Sequence, residues 1–523
     1  MRNIFLSILL GAHVGCALAI DYYVSNIGSE NANGRFPDRS MTDFSNSPFK
    51  YLKNLGEIKF GPGDSIYLAC GQTFDGPLII NIEGATDDPV SFSRYGKCDG
   101  ENNPVIDGRV KMIGLEESGL HVRNFDAEVV QLFSGNTPVG AARYPVDGYL
   151  IVPENFEKSK LKIPLIGKLI SSDLNQSKIH ARSEEWFIEE RLYDAARERM
   201  VNELEYPLRP KAGFYLTGKA WMISPASPWT YDLEKKSLFL NNFKKMDEIS
   251  IVFSGPLLNF EGRGSLRLNN IELMASGGDA IKVHLNKANV FINNVHINYA
   301  AANGISILGA DKALIDNVVI RDVRNDGIFF AEVSDAVVVN SQVINAGMYL
   351  GPSVSLAAIN AHRTQKSTIS NNFIYKSAYI GIRVSGGASV TGNSLKSTCM
   401  YLSDCAAIYT WRRNAMDVRE YSVIENNKIS GVKGDTTVKL GVNDYFAGIY
   451  LDEFSNNIRV AENSIIDAVQ GIYLHNAFSN LIENNYVCRT PVFMIDAAEI
   501  AQRDLGGRYV DNIKRNNVSC QTR

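Results

Sequence analysis

The sequence predicts an all-β fold, a single-stranded right-handed parallel β-helix with a small, partly helical insertion, on the strength of two recurring phrases and one interruption. From about residue 278 the first phrase returns as DAIKV at 279, NGISI at 303, DGIFF at 326, AAINA at 357, IGIRV at 380, AAIYT at 406, AGIYL at 447 and QGIYL at 470. Its basic spacing is about 23 residues, stretched by insertions before 358 and 448. Self-similarity at such a period, with one short β-rich run per repeat and no long helical pattern, marks a β-solenoid.

The second phrase keeps time with the first, as LNNIEL, INNVHI, IDNVVI, SNNFIY, ENNKIS and ENNYV, so each coil carries two strands. Asparagines stacked at the strand spacing of about 4.8 Å can hydrogen-bond along the axis. They are read as structural, not catalytic.

Upstream, DSIYLAC, PLIINI, VSFSRY, NPVIDG and GLHVRNF have the same short, β-rich character, and residues 20–154 are expected to form the N-terminal part of the solenoid. The pattern stops over 155–245. There SEEWFIEERLYDAARERMV spaces Ile188, Leu192, Ala196 and Met200 at helical intervals, which predicts an insertion containing a helix, a packing element or a lid that shapes the substrate site. Residues 246–523 are expected to hold the main solenoid and the site.

Residues 1–19 read as a signal peptide: Arg2 supplies the charge, residues 4–18 are mostly apolar, and Ala17-Leu18-Ala19 is a small-x-small cleavage site. His13 interrupts the stretch, which argues against a transmembrane anchor, and no later segment would span a bilayer. The expected location is secreted or periplasmic, with lipidation at Cys16 as the lesser alternative. Six cysteines follow the leader, at 70, 98, 399, 405, 488 and 520. Pairing of sequence neighbours, 70 with 98, 399 with 405 and 488 with 520, is the simplest arrangement, but six cysteines admit 15 pairings and the sequence does not choose among them. No CxxC or histidine cluster suggests zinc, so neither metal nor cofactor is expected. A net charge of -4 with interspersed signs gives no reason to expect nucleic acid, and the chain is expected to be a monomer.

With the small residue of each phrase at position zero, alternation turns plus one and plus three inward and plus two and plus four outward. The plus-two column reads Asn360, Arg383, Tyr409, Tyr450 and Tyr473; the plus-four column reads His362, Ser385, Trp411, Asp452 and His475. Earlier coils offer only Leu308 and Ala331 at plus four. Aromatic faces suit the C–H faces of pyranose rings and polar neighbours fix hydroxyls. His362, Arg383, Tyr409, Trp411, Tyr450, Tyr473 and His475 are therefore the candidate residues for binding a polysaccharide or oligosaccharide.

Glycoside cleavage needs one carboxyl to protonate the leaving oxygen and a second to act as nucleophile or base. Asp452 in GIYLDE and Asp404 in SDCAAIYTW, about one coil apart, are the candidates, with Glu453 as a backup for Asp452. His475, beside Asp452 in the same column, is placed to tune that carboxylate or touch substrate.

At these residues the sequence resembles carbohydrate-active right-handed β-helix proteins of the pectate-lyase-like kind, and most specifically those related to glycoside hydrolase family 141. The phrases that carry the resemblance are GAARYP at 140, PWTYDLEKKSLFL at 228, SDCAAIYTW at 403 and GIYLDEFSNN at 448, so it spans nearly the whole mature chain. It implies a parallel β-helix and catalysis by two aspartates, which on matching motifs are Asp404 and Asp452. Cys405 and Ala406 stand where the family usually has glycine, and Arg412-Arg413 replaces a small, flexible continuation. The rival readings are a lyase or epimerase on a uronate polymer, with Arg383, Arg412, His362 and His475 as its parts, and a non-catalytic carbohydrate-binding protein. No DPHD phrase or dense acidic calcium cluster supports the first rival.

Overall fold

The computed structural model describes residues 18–84, 88–100, 102–113, 119–167, 169–241, 248–351, 357–413, 420–434, 445–497 and 511–520. Residues 1–17 of the expected leader, Cys16 included, lie outside the described residues.

The repeat phrases become the rungs of a parallel β-helix whose strands link into one 33-stranded hydrogen-bonded set. Its interior follows from the plus-one position of the phrase. Ile281, Ile305, Ile328, Ile359, Ile382, Ile408, Ile449 and Ile472 lie in register on successive coils. All eight are sealed from solvent, and each such side chain contributes roughly 1.5–3 kcal/mol by burial. The small residue before them answers to a close approach of backbone: a Cβ built on Gly381 would lie 2.5 Å from the Ala407 carbonyl of the next coil.

The second phrase builds the expected asparagine ladder. Asn372, Asn393, Asn427, Asn463 and Asn485 each pass a side-chain amide hydrogen bond of 2.9–3.0 Å to the next, ending at Asn517. The asparagine or aspartate habit of the preceding turn position has its own cause, because Asn371, Asn426, Asn484 and Asn516 hold left-handed φ near +55°, which these side chains tolerate better than others. A second ladder caps the first phrase: Asp279 accepts from Asn303, and Asp326 accepts from Asn360 and from the Ala357 amide. Asp326 is fully buried there.

Two corrections concern the insertion. GLHVRNF is not a coil strand, since Leu120–Asn124 pairs antiparallel with Ser237–Asn241. The chain leaves the solenoid after Val105–Asp107 and re-enters at Leu258–Arg263, which lies directly on Leu78–Glu83. The helix expected within residues 183–201 is absent: Lys178–Glu184 and Phe187–Asp194 form an antiparallel hairpin, flanked by Gly213–Thr217. The residues are good helix formers, but Phe187–Asp194 is held as a strand by Lys178–Glu184, itself paired with Gly213–Thr217. Ile179, Ala181 and Phe214 of those partner strands enter the insertion's own core, and this tertiary pairing overrides local propensity.

Three disulfides join Cys70 to Cys98, Cys399 to Cys405 and Cys488 to Cys520. Among the described residues no helix is long and apolar enough to cross a membrane.

Candidate active site

The strands Ile380–Val384, Cys405–Thr410, Phe446–Leu451 and Gln470–His475 lie side by side, and their outward residues fall into the column read from the sequence: Arg383 beside Tyr409, Tyr409 beside Tyr450, Tyr450 beside Tyr473. The rings touch. Tyr409 meets Tyr450 edge-on at 5.3 Å and Tyr450 stacks on Tyr473 at 4.5 Å, which in turn stacks on Tyr445 at 4.9 Å.

This outward face is nevertheless covered. Tyr409, Tyr450 and Tyr473 are each less than a tenth exposed, so they do not offer open ring faces; Trp411, His362, Arg383 and His475 remain partly accessible. Part of that cover is mutual, through the stacked rings, with Arg383 over Tyr409. The insertion reaches the coils beside Asp404: at the tip of its hairpin the Glu185 carbonyl accepts from the Ser403 amide at 3.0 Å, and Trp186 packs against the main core.

The strand ends place the two aspartates. Asp452 directly follows Phe446–Leu451, its amide donating to the Thr410 carbonyl at 2.9 Å. Asp404 directly precedes Cys405–Thr410 at left-handed φ, next to the Cys399–Cys405 disulfide, and its own carbonyl accepts from the Tyr379 hydroxyl at 2.8 Å. Each carboxyl is then gripped by the tyrosine of the other's strand. Tyr409 donates to Asp452 Oδ2 at 2.6 Å, while the Tyr450 hydroxyl bonds the carboxyl of Asp404.

The two environments differ. Asp452 also bonds His475 Nδ1 at 2.7 Å, and this carboxylate is the main reason that the imidazole is held above its ordinary value. Asp404 Oδ1 is shut off from water without a hydrogen-bond partner among the described residues. Burial first, and then the negative charge of Asp452, push the Asp404 carboxyl up to about 7; Tyr450 and His475 pull the other way, and Glu185 adds to the push. Burial and a like charge are two of the three means by which a carboxyl is kept protonated near neutrality.

The remaining candidates divide. His362 lies 5.5 Å from Trp411, ring to ring, at the open side of the column. Arg383 sits over Tyr409 at 5.8 Å with a buried Nε–H that has no acceptor among the described residues. Arg412 is instead buried and donates to the side chain and backbone of Asn456 at 3.0 and 2.7 Å, an anchoring role for the chain beyond Asp452.

Sequence reasoning did not single out Glu185, Tyr379 or Tyr445. Glu185 was concealed by the helical reading of its segment; a hairpin with SEEWF at its tip would have exposed it, but it lacks the Gly, Asn or Pro that announce such turns. Tyr379 and Tyr445 stand just before their rungs, at the corner of the coil, where period-two alternation says nothing about direction.

Residues 257–420 match the family described as right handed beta helix region, which fixes the hand of the solenoid. No curated protein matches the chain. Among solved structures, one titled simply "Glycoside hydrolase" superposes with a TM-score of 0.58 at 14% identity, over 93% of this chain and 98% of that one. A xylose complex of XylC gives 0.48 at 11% identity over 96% and 86%, and a rhamnogalacturonan lyase 0.40 at 10% over 95% and 87%. At 14% identity the first of these likenesses speaks to the fold alone.

Proposed function

We propose that the protein is a secreted or periplasmic glycoside hydrolase acting on a polysaccharide or oligosaccharide, with Asp404 as general acid and Asp452 as nucleophile or base. What carries the proposal is the asymmetry of the pair. Two carboxyls on adjacent coils feel each other's charge, one is held protonated up to about 7, and the other accepts hydrogen bonds from Tyr409 and His475. Pairs whose environments part their protonation states are the usual basis for dividing acid from base roles.

In this reading Asp404 gives its proton to the leaving oxygen, while Asp452 attacks the anomeric carbon or draws the proton from water. Tyr409 and His475 hold Asp452 in place, and Trp411, His362 and Arg383 meet the substrate at the open side. The family 141 resemblance in the sequence supports the same pair of aspartates. The rival of uronate elimination loses one part, because the guanidinium of Arg412 is spent on Asn456.

The test is incubation with a panel of neutral and uronic-acid polysaccharides, following new reducing ends and the ultraviolet absorbance of an unsaturated uronate together. Reducing ends without that absorbance, lost in both Asp404→Asn and Asp452→Asn, support hydrolysis. Both signals rising together would replace it with a lyase.

A further inference from the structure

A cavity of about 620 Å³, apart from the two aspartates, lies between the insertion and the corners of the coils around Gly277, Ala301, Arg324 and Gly351. Its insertion wall is the outward face of the sheet formed by Lys178–Glu184, Phe187–Asp194, Gly213–Thr217 and Arg143–Tyr144, and that wall is polar: Arg143, Lys178, His180, Glu190, Tyr215 and Thr217 line it. The apolar face of the same sheet, with Ile179, Ala181, Phe214 and Leu216, is turned away into the insertion's own core. Ile188 and Tyr215 of this sheet pack with the solenoid core, but Arg143, Lys178, His180 and Glu190 stand beside them and the gap around these groups is left open, at a volume typical of ligand pockets.

The charges in this wall do not cancel. Lys178 pairs with Glu128 at 2.5 Å, and Arg324 with Glu190 at 2.8 Å. His180 adds no charge, because burial pushes its imidazole down to about 3. Arg143 is left over: its guanidinium donates only to the carbonyls of Pro145 and Gly148, and no carboxylate among the described residues reaches it. Arg324 Nε–H is also buried without an acceptor.

The leftover cation is held rigidly. The Arg143 guanidinium lies 3.8 Å over the Tyr215 ring, and His180 lies parallel to the same ring at 4.2 Å. Two groups that close to one ring occupy its opposite faces, so the three side chains form a single stack. Such a fixed planar fork suits a bidentate oxyanion.

We infer that this cavity binds a sugar ring carrying an oxyanion, a carboxylate or a sulfate ester, through Arg143, with hydroxyls taken by neighbouring polar side chains such as Thr217. The site is separate from the two aspartates and stands whether or not they cleave a glycoside.

The inference is tested by calorimetric titration of the purified protein with glucuronate, galacturonate, glucose 6-sulfate and glucose. Saturable binding of at least one anionic sugar is expected, at least tenfold weaker in Arg143→Gln and weakened by added salt, with glucose at least tenfold weaker. A preference for the uronates or for the sulfate identifies the oxyanion. Ala301→Leu, which fills the cavity from the coil side without touching its charge, is expected to abolish binding and serves if Arg143→Gln does not fold. No binding of any anionic sugar, equal binding of glucose, or full affinity in the variants overturns the assignment. Because the readout is binding, its failure is distinguishable from a failure of Asp404 and Asp452 as catalysts.

Discussion

Tyr409 reaches across one coil to Asp452, its phenol 2.6 Å from Oδ2, while Tyr450 on the coil of Asp452 reaches back to Asp404. The two carboxyls are thus cross-braced, and replacing Tyr409 tests the brace. A hydrogen bond to a charged acceptor contributes about 1.5–3 kcal/mol, so Tyr409→Phe is expected to lower kcat by roughly 10–100-fold with KM little changed. Steady-state kinetics on a cleaved polysaccharide decide it; an unchanged kcat would free Asp452 from dependence on the phenol.

The elevated Asp404 carboxyl makes a claim about pH. Activity that needs its proton falls as pH rises through about 7. Stability has the same sign: the unfolded carboxyl ionises near 3.8 and the folded one near about 7, so the native state holds the proton more tightly. The stabilisation is complete below the lower value and is lost as pH rises through the upper one. Asp404→Asn should therefore gain on the native protein in melting temperature on going from pH 5 to pH 8. A constant difference would mean that the carboxyl is not held protonated.

Glu185 raises the Asp404 carboxyl from the tip of the insertion. Removing its charge lowers that value, so the alkaline limb of the pH–rate profile is expected to move to lower pH in Glu185→Gln. The acid limb should stay where it was. A profile identical to that of the native protein would reduce Glu185 to the backbone contact with Ser403.

Asn427 sits in the middle of the ladder, accepting from Asn393 and donating to Asn463 and to the Val390 carbonyl. Asn427→Ala strands buried partners on both sides, at about 1–3 kcal/mol for each unsatisfied group. Urea unfolding should show a loss of a few kcal/mol, while activity per folded molecule is unaltered. A marginal loss would mean that water or neighbouring coils take over its bonds.

Trp411 is the aromatic residue of the column that remains partly accessible, close to His362. Trp411→Ala is expected to weaken oligosaccharide binding by about tenfold, in keeping with 0.5–1.5 kcal/mol for an aromatic contact beyond its buried area. Unchanged affinity would place the sugar elsewhere on this face.

The parts of the molecule legible in the sequence are those governed by repetition. Ile408, Ile449 and Ile472, and the tyrosines one position beyond each, were placed on their faces by period-two alternation because a parallel coil admits little other register. The same rule located Asp452 and His475 on one column. It failed for Asp404, whose direction is set by a left-handed corner, a disulfide and Tyr379, and for the insertion, where a hairpin of good helix formers is held by strands distant in sequence. Alternation also gave direction without cover. It put the tyrosines outside the coil correctly, yet could not reveal that they would be buried there.

The hydrogen bond between Ser403 and Glu185 ties together two ends of the chain's history. The hairpin bearing Glu185 leaves the solenoid among its first coils, whereas Ser403, whose amide it accepts, belongs to coils laid down far later. A polypeptide emerging N-terminus first can fold the hairpin early, but the Glu185 contact beside Asp404 must wait for the late coils. If Asp404 is the proposed acid, completing the last coils becomes a condition for activity, and a chain truncated before them is expected to keep its early coils and insertion but to be inactive.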